Sequence, residues 1–291
     1  MIDVDALAGA VASAGIPVTE LRPAGAGECC RAWWVGEEHI VRVALDPCVD
    51  SALETEAEVL PLVSRAVDTA IPEPVHLGHD PSTGRRFLVH RAVIGASLED
   101  TWPQLEAAAR ERIACALGRF LEQMQGVPLA SLSVELPKAR TPLDLRAELI
   151  DELVFPGMSA REVSACRALR NAFEPCPREA WTLVHADLYN HHVRVRDQAL
   201  AGVIDFGDLC AGDPDCDLGS LMDDFGVEFV ADLLVGSSDG DASRRLERGR
   251  CFCVWEALDW AAGELQAGRT AEVAENLQRV GRLAIDGAAR L

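Results

Sequence analysis

The chain has 291 residues, of which 49% are hydrophobic and 25% are charged, and this length and composition suit a globular protein with two domains. Its 47 acidic residues outnumber its 27 basic residues, for a net charge of −20, which disfavours nucleic-acid binding and favours cationic ligands. No apolar run approaches the ~20 residues of a membrane span, and the N-terminus lacks the pattern of a signal peptide. We therefore expect a cytoplasmic protein that binds neither nucleic acid nor membranes, and we take it to be a monomer.

The N-terminal third is predicted to combine helices with short strands. Apolar residues recur at helical spacing from Asp3 to Ala14 and again from Asp50 to Val63. Strands are predicted near Leu21, at Ala32–Gly36, at His39–Val43 and at Arg86–Gly95. Between the first two strands, Gly25 and Gly27 let the backbone fold close over a phosphate, or else form an ordinary hairpin turn.

The rest of the chain is predicted to be mostly helical. Helices are predicted at Leu105–Gln125, from Thr141, at Ser159–Phe173, at Leu218–Leu234, at Arg244–Gln266 and at Thr270–Ala288. Ser159 and Glu162 have the spacing of a capping box, and the polar stretch 237–241 is predicted to be a loop. The sequence thus predicts an α+β fold with a small β-rich lobe over residues 1–95 and a larger helical lobe over 96–291.

Two aspartates follow apolar strand-like runs in the middle of the chain. The run Trp181–Val184 leads into His185-Ala186-Asp187, and the run Leu200–Ile204 leads into Asp205-Phe206-Gly207. We expect the two carboxylates to lie at the ends of neighbouring strands. Phosphoryl transfer needs such a pair, because one Asp orients the attacking hydroxyl and the other holds Mg²⁺.

The order of these motifs matches the signature of protein kinases, in which His-x-Asp precedes Asp-Phe-Gly and a metal ligand stands five residues after the first Asp. Here that position is His192. Imidazole is a poor ligand for Mg²⁺, so His192 is either a ligand or a loop histidine bonded to a neighbour. The alternative for the whole pattern is a pair of loop acids that begin turns.

The stretch from Val184 to Val230 resembles the aminoglycoside phosphotransferase family of antibiotic kinases, and most of all its 2″-phosphotransferase branch. The residues that carry the resemblance are His185-Ala186-Asp187 with His192, Gly202-Val203-Ile204-Asp205-Phe206-Gly207-Asp208, Gly212-Asp213-Pro214 with Asp217, and Ser220 to Asp224 leading into Glu228-Phe229-Val230. The resemblance implies a bilobal protein-kinase-like fold, with ATP or GTP as co-substrate and Mg²⁺ as the metal.

The resemblance also assigns nucleotide and metal contacts. Asp187 is the catalytic residue, and Asp205 with His192 holds the metal. Arg42 stands where kinases carry a phosphate-binding Lys, with Glu56, or secondarily Glu58, as its partner. The glycine turn at Gly25 and Gly27 covers the phosphates, and backbone groups near His90 and Ala92 bind the base. His185 is expected to bond the loop backbone, and Asp217 to cap the following helix.

The substrate contacts implied by the resemblance are acidic. Together with Asp187, the residues Asp208, Asp223 and Asp224 match positions at which the 2″ branch meets ammonium groups. Weaker candidates on the helices are Glu228, Glu256 and Asp259. For each of these acids the alternative is a solvated helix face.

The leading hypothesis is Mg²⁺-dependent transfer of the γ-phosphate of ATP or GTP to a hydroxyl of an aminoglycoside, giving resistance or self-protection. A second hypothesis keeps the chemistry and changes the acceptor to a macrolide, another antibiotic or a biosynthetic intermediate. A third is a catalytically silent nucleotide-binding module, suggested by Arg42 in place of Lys and His192 in place of Asn. The sequence leaves open the choice of nucleotide and of hydroxyl.

Overall fold

The computed structural model of the protein describes residues 1–27, 29–235 and 242–290, so the predicted loop at 237–241 lies outside the described residues. The helices are α1 (Val4–Ser13), α2 (Pro47–Ala66), α3 (Leu98–Thr101), α4 (Ala107–Gln125), α5 (Ala147–Leu149), α6 (Ala160–Ala172), α7 (Cys216–Leu233), α8 (Ala242–Gln266) and α9 (Val273–Ala288). The strands are β1 (Leu21–Ala26), β2 (Cys30–Val35), β3 (His39–Ala44), β4 (Glu73–His79), β5 (Arg86–Arg91), β6 (Ala96–Ser97), β7 (Thr182–Val184), β8 (Val193–Arg196), β9 (Ala199–Val203) and β10 (Cys210–Gly212).

An antiparallel sheet in the order β1-β2-β3-β5-β4 lies between two helices. Leu7 and Val11 of α1 pack with Val41 on one face, and Leu53 of α2 packs with Leu88 on the other. Because successive side chains of a strand point to opposite faces, the position after Val41 belongs to the face that α2 covers. This alternation places Arg42 opposite α2.

The predicted relation between the strands that precede the two aspartates is wrong. Strand β7, before Asp187, pairs with β10, whereas β9, before Asp205, belongs to the separate sheet β6-β8-β9. The reason is a set of long-range pairings: β8 also pairs with β6, and Val203 donates to the carbonyl of Ala70 at 3.0 Å. Apolar runs locate strands, but they do not reveal which strands pair.

Most predicted helices are present, and one begins later than expected. The capping box at Ser159 and Glu162 is confirmed. The helix predicted from Thr141 instead starts at Ala147, because Asp144 accepts hydrogen bonds from the backbone N–H and the hydroxyl of Thr141 and closes a turn there. A π-helical turn, Ile150–Val154, follows α5.

The chain forms two compact units. The first contains Met1–Leu105, Gln123–Pro137 and Asn190–Leu209, and the second contains Glu106–Glu122, Lys138–Tyr189 and Cys210–Leu291. The first unit therefore extends beyond Gly95 and includes two later segments, whereas the sequence suggested a single domain boundary near Gly95. The core of the second unit lies among α6, α8 and α9, where Phe155 and Trp255 meet edge to face. None of the described helices has the length and hydropathy to cross a membrane.

Candidate active site

A buried ion pair joins strand β3 to helix α2 in the first unit. Nη1 of Arg42 donates to Oε2 and Oε1 of Glu56 at 2.7 and 3.0 Å. Glu56 lies in the apolar stripe of α2, between Leu53 and Leu60, and is 1% exposed. An acid at such a position is costly to bury without a partner, and Arg42, on the facing strand, is that partner. Burial raises the pKa of Glu56, and Arg42 offsets part of this rise.

The same guanidinium reaches the carboxylate after β9. Nη2 of Arg42 donates to Oδ1 of Asp205 at 2.9 Å, and Nε2 of His192 lies 3.5 Å from Oδ2 of Asp205. The backbone N–H of Ile204 donates to the carbonyl of His192 at 2.9 Å, which ties the two loops together. Asp205 itself has a φ of 65°, a left-handed conformation uncommon outside glycine. Such strained positions cluster at functional sites.

The exposed carboxylate of Asp205 is a suitable ligand for a hard cation such as Mg²⁺. The Asp205 side chain is 43% exposed, and Mg²⁺ is usually held by one or two carboxylates together with substrate phosphates and water. Within the described residues, no group of three or more His, Cys, Asp or Glu side chains forms a complete metal cage. Asp208 is nearby in the first unit, and partial desolvation, followed by the charge of Asp205, raises its pKa. Asp205 therefore fits Mg²⁺, and His192 contacts Asp205.

The His-x-Asp loop belongs to the second unit and is held by a buried aspartate. Asp217 accepts hydrogen bonds from the backbone N–H groups of His185 at 3.1 Å and Ala186 at 2.8 Å. Ala186 has a φ of 63°, so these bonds hold the loop in a conformation that alanine rarely adopts. Nδ1 of His185 accepts from the N–H of Asp187 at 3.3 Å, and His185 thus bonds the loop backbone as expected.

The position of Asp217 corrects one expectation. Asp215 is the N-cap residue of α7, and Asp217 lies inside the first turn of the helix, where its side chain accepts from the His-x-Asp loop instead of capping. Asp217 is fully buried. Burial raises the pKa of Asp217 to about 6, and the two backbone hydrogen bonds limit the rise. The sequence shows an acid near a helix start, which is usually a cap, and gives no sign of this distant partner.

Two arginines of α8, which the sequence patterns did not single out, fix the start of α7. Arg245 donates through Nε to Asp215 at 2.8 Å, and Arg248 donates through Nε to Asp215 at 2.8 Å and through Nη2 to Asp213. Asp213 and Asp215 are both nearly fully buried. The available signal was the spacing of the two arginines, three residues apart on one helix face, but it did not identify their partners.

The predicted nucleotide-binding backbone is formed by a hairpin turn and a strand end. Gly27 donates to the carbonyl of Cys30 at 3.0 Å. Gly25, predicted in the glycine loop, lies instead in β1 and pairs with Ala32, and no atom of the described residues lies within 4 Å of the position that its Cβ would occupy. His90 is buried in β5, and burial lowers its pKa to about 4. The N–H of Ala92 donates to the carbonyl of Glu38 at 2.8 Å and so is already used within the sheet.

The acids predicted to contact substrate differ in their surroundings. Asp208 lies in the first unit, whereas Asp223, Asp224, Glu228 and Glu256 lie in the second. Asp223 forms an ion pair with Arg279 and accepts from the thiol of Cys253 at 3.5 Å. Glu256 accepts from the thiol of Cys216 at 3.9 Å. Burial, with Asp217 and Asp223 as the next causes, raises the pKa of Glu256 to about 8.

Of the remaining acids predicted to contact substrate, Asp224 and Glu228 lie on either side of a kink in α7, and Asp259 forms ion pairs. Gly226 has φ 83° and ψ 178° inside α7, a combination available essentially to glycine alone. It separates Asp224 from the exposed Glu228, so the two do not follow one continuous helix face. Asp259 is bonded by Nε of Arg146 at 2.8 Å and by Arg140, and two guanidiniums therefore already balance its charge.

The sequence matches one family of enzymes. A model of the phosphotransferase enzyme family matches residues 20–252. None of the curated proteins matches the sequence.

Solved structures share the fold. The chain is 22% identical to a mutant of aminoglycoside 2′-phosphotransferase-IIIa in complex with GDP, covering 98% of both chains with a TM-score of 0.80. It is 19% identical to APH(2″)-IIa in complex with gentamicin, covering 98% of this chain and 100% of the other with a TM-score of 0.70. It is also 19% identical to macrolide 2′-phosphotransferase MphH from Brachybacterium faecium, with 96% and 97% covered and a TM-score of 0.64. At these identities the likeness concerns the fold, and it confirms the predicted kinase-like α+β class.

Proposed function

We propose, from the premise that this chain belongs to the phosphotransferase enzyme family, that it transfers the γ-phosphate of ATP or GTP to a hydroxyl of an aminoglycoside. The observation that carries the proposal is the bond of Arg42 to both Glu56 and Asp205. This cluster links a strand, a helix and the Asp-Phe-Gly loop through one guanidinium. A nucleotide-binding module without catalytic activity has no need for a carboxylate such as Asp205, suited to bind Mg²⁺, next to Arg42. The cluster therefore favours an active enzyme.

In the proposed mechanism, Arg42 binds nucleotide phosphates, and its bond to Glu56 keeps it in place. Gly25, near the end of β1, and Gly27 leave room for phosphates, and the base binds to backbone groups near His90 and Ala92 other than the Ala92 N–H, which donates to Glu38. Asp205 holds Mg²⁺, with His192 beside it as a ligand or as a support for the carboxylate. A metal held by Asp205 would neutralise charge on the phosphate oxygens.

Asp187 orients the acceptor hydroxyl and accepts its proton as the hydroxyl oxygen bonds to the γ-phosphorus; the bond from that phosphorus to the β–γ bridging oxygen breaks, and the nucleoside diphosphate leaves. Because the transition state of phosphoryl transfer is loose, the main contribution of this carboxylate is to hold the attacking oxygen in line. The anchoring of its loop by Asp217 serves that purpose. A strained backbone fixed by two hydrogen bonds to the buried Asp217 has little freedom to move the carboxylate.

A cationic acceptor fits the charge of the second unit. The whole chain has a net charge of −20, and in the second unit Asp224, Glu228 and Glu256 supply carboxylates on α7 and α8, beside Asp223, which already pairs with Arg279. Glu256 has a raised pKa because of burial and nearby acids, so it gains from an ammonium group placed beside it. Similar folds have been solved with kanamycin and gentamicin bound, and the inactivation of such a compound would give resistance or self-protection.

A macrolide acceptor is the second candidate, because the fold is also similar to macrolide 2′-phosphotransferases. A macrolide carries fewer amines than an aminoglycoside and would use fewer of the acids. The chemistry and the roles of Asp187 and Asp205 would be unchanged.

The test is release of nucleoside diphosphate with Mg²⁺ and either ATP or GTP, measured against panels of aminoglycosides and macrolides. We expect release that depends on an aminoglycoside and that falls by about 10²-fold or more in Asp187→Asn. Release that depends only on macrolides would select the second candidate. Nucleotide binding without turnover on any acceptor would contradict phosphoryl transfer.

A further inference from the structure

The guanidinium of Arg42 holds two acids with two different nitrogens. Nη1 donates to both oxygens of Glu56, and Nη2 donates to Oδ1 of Asp205 at 2.9 Å. A lysine ammonium is a compact point charge, whereas a guanidinium is a planar fork with five donors. The side chain of Arg42 can therefore bond to Asp205, the carboxylate proposed to hold the metal, while it remains bound to Glu56.

The two arms of the fork differ in strength. Glu56 is 1% exposed and accepts two hydrogen bonds, whereas Asp205 is 43% exposed and accepts one bond from Arg42. Attraction between charges grows as water is excluded, and an acid as buried as Glu56 is costly to leave unpaired. An ion pair with a half-exposed partner contributes much less. The arm that reaches Asp205 is thus the one that can be exchanged.

We propose that Arg42 couples the binding of nucleotide to the binding of the divalent cation. Without nucleotide, its Nη2 arm occupies Oδ1 of Asp205; when phosphates bind, this arm moves to them and frees Oδ1 for the metal. His192, 3.5 Å from Oδ2, keeps the carboxylate oriented during the exchange. The inference rests on the proposed function, since it takes phosphates as ligands of Arg42 and Mg²⁺ as the ligand of Asp205.

The charges around Arg42 support this coupling. Glu56, Asp205 and Asp208 form a cluster with this one guanidinium, and the pKa values of Glu56 and Asp208 are both raised, first by burial and then in part by Asp205. These three carboxylates share one guanidinium, so the cluster keeps a net negative charge when all three are ionised. Because coupling between two ligands is reciprocal, nucleotide should strengthen metal binding as much as metal strengthens nucleotide binding.

The test measures binding of Mn²⁺, in place of Mg²⁺, to the nucleotide-free protein through the EPR signal of free Mn²⁺. Arg42→Lys keeps the charge beside Glu56 but removes the fork. Asp205→Asn removes the metal carboxylate and reports binding to the rest of the acidic surface. Arg86→Lys is the matched control, because Arg86 on β5 also pairs with an α2 glutamate, donating through Nε to Glu54 at 2.7 Å.

We expect the Asp205-dependent binding of Mn²⁺ to be about two- to fivefold tighter in Arg42→Lys than in the wild type, the size expected for losing an ion pair with a half-exposed partner. Arg86→Lys should match the wild type. Equal or weaker binding in Arg42→Lys, or no Asp205-dependent binding in either protein, overturns the coupling.

A second measurement needs only the wild type. Fluorescent ADP and GDP analogues are titrated with excess Mg²⁺ and again with a chelator. Tighter binding with Mg²⁺ is expected, and equal affinities overturn the coupling even if Arg42→Lys does not fold. Failure to bind nucleotide under both conditions contradicts the proposed function itself, so the two failures are distinguishable.

Discussion

Two acids of the second unit, Asp217 and Glu256, are balanced differently from Glu56 and Asp205 of the first unit. In the first unit, the guanidinium of Arg42 balances the buried Glu56 and the half-exposed Asp205. In the second unit, burial raises the pKa of Asp217 to about 6 and that of Glu256 to about 8, so protons compensate these acids over part of the physiological range. The Arg42 cluster can therefore change its charge by exchanging a cation, and Asp217 and Glu256 by exchanging a proton. This difference suits phosphates and metal in the first case and an amine-bearing acceptor in the second.

The largest expected effect tests the assignment of hydroxyl chemistry to the second unit. Asp187→Asn should lower the turnover number by about 10²-fold or more, because an amide cannot accept the proton of the hydroxyl. The affinity for nucleotide should change little, since Asp187 has no proposed contact with it. Steady-state kinetics and nucleotide titration measure the two quantities.

The matched control for this prediction is Asp197→Asn. Asp197 is an exposed aspartate in the turn between β8 and β9, where its φ is 52°, a positive value like that of Ala186 beside Asp187, and it has no proposed role in the reaction. Its turnover should equal that of the wild type. A loss of activity shared by both variants would point to damage of the loops and would undermine the special role of Asp187.

The next effect concerns stability and compares two ion pairs on helix α8. Arg248→Met leaves Asp213 and Asp215 buried with fewer partners, and we expect a loss of about 3–5 kcal/mol in the free energy of unfolding. Arg244→Met breaks the pair with Glu174, in which both side chains are mostly exposed, and should change it by less than about 1 kcal/mol. Denaturant unfolding measures both, and similar losses would show that the buried pairs are not what fixes the start of α7.

A third prediction compares the effects of the same substitution at Asp217 and at Asp205 on stability and turnover. In Asp217→Asn, the amide can offer only one acceptor atom to the N–H groups of His185 and Ala186, and a buried donor without a partner costs about 1–3 kcal/mol. Asp205→Asn affects a half-exposed residue, so we expect nearly unchanged stability together with loss of Mg²⁺-dependent turnover. Thermal unfolding and activity assays of both variants test this division, and the comparison fails if both lose stability equally.

The raised pKa of Asp217 predicts the direction in which the free energy of unfolding changes with pH. The folded protein holds the proton of Asp217 up to a pH of about 6, whereas an unfolded aspartate loses it near a pH of about 4. The contribution of this group to the free energy of unfolding therefore falls as the pH rises from about 4 to about 6 and is constant above that range. Asp217→Asn should flatten that part of the profile of unfolding free energy against pH.

The sequence predicted the parts of the site that depend on local pattern. His-x-Asp and Asp-Phe-Gly are short-range features, and they led to Asp187 and Asp205. The pairing of Arg42 with Glu56, which the structure contains, was predicted from the resemblance. Their roles in binding and catalysis stay predictions. The capping box at Ser159 could be predicted for the same reason, since all of its contacts fall within one helical turn.

The features that sequence reasoning missed depend on pairings between distant segments. The bonds from Asp217 to the His-x-Asp loop join residues more than thirty positions apart, and the position of Asp217 near a helix start suggested a cap. The ion pair of Asp223 with Arg279 and the use of the Ala92 N–H by Glu38 are likewise long-range contacts. No periodicity or motif spacing reports which distant group such a residue will meet.

The smallest expected effect concerns the proton of Glu256. With a pKa of about 8, this group is mostly protonated at pH 7, but only its carboxylate gains from an ammonium group. Binding of a cationic acceptor should therefore release a proton, and the wild-type affinity should rise by about fivefold from pH 7 to pH 8 through this group alone. Glu256→Gln should lose that increment, whereas Glu275→Gln, at an exposed position on α9, should keep it. The amines of the acceptor titrate in the same range, so the comparison is made between proteins with one acceptor, by calorimetry in buffers of different ionisation enthalpy. Equal proton release in the wild type and in Glu256→Gln would mean that Glu256 does not meet the acceptor, and the proton-exchanging character of the second unit would then belong to stability and not to binding.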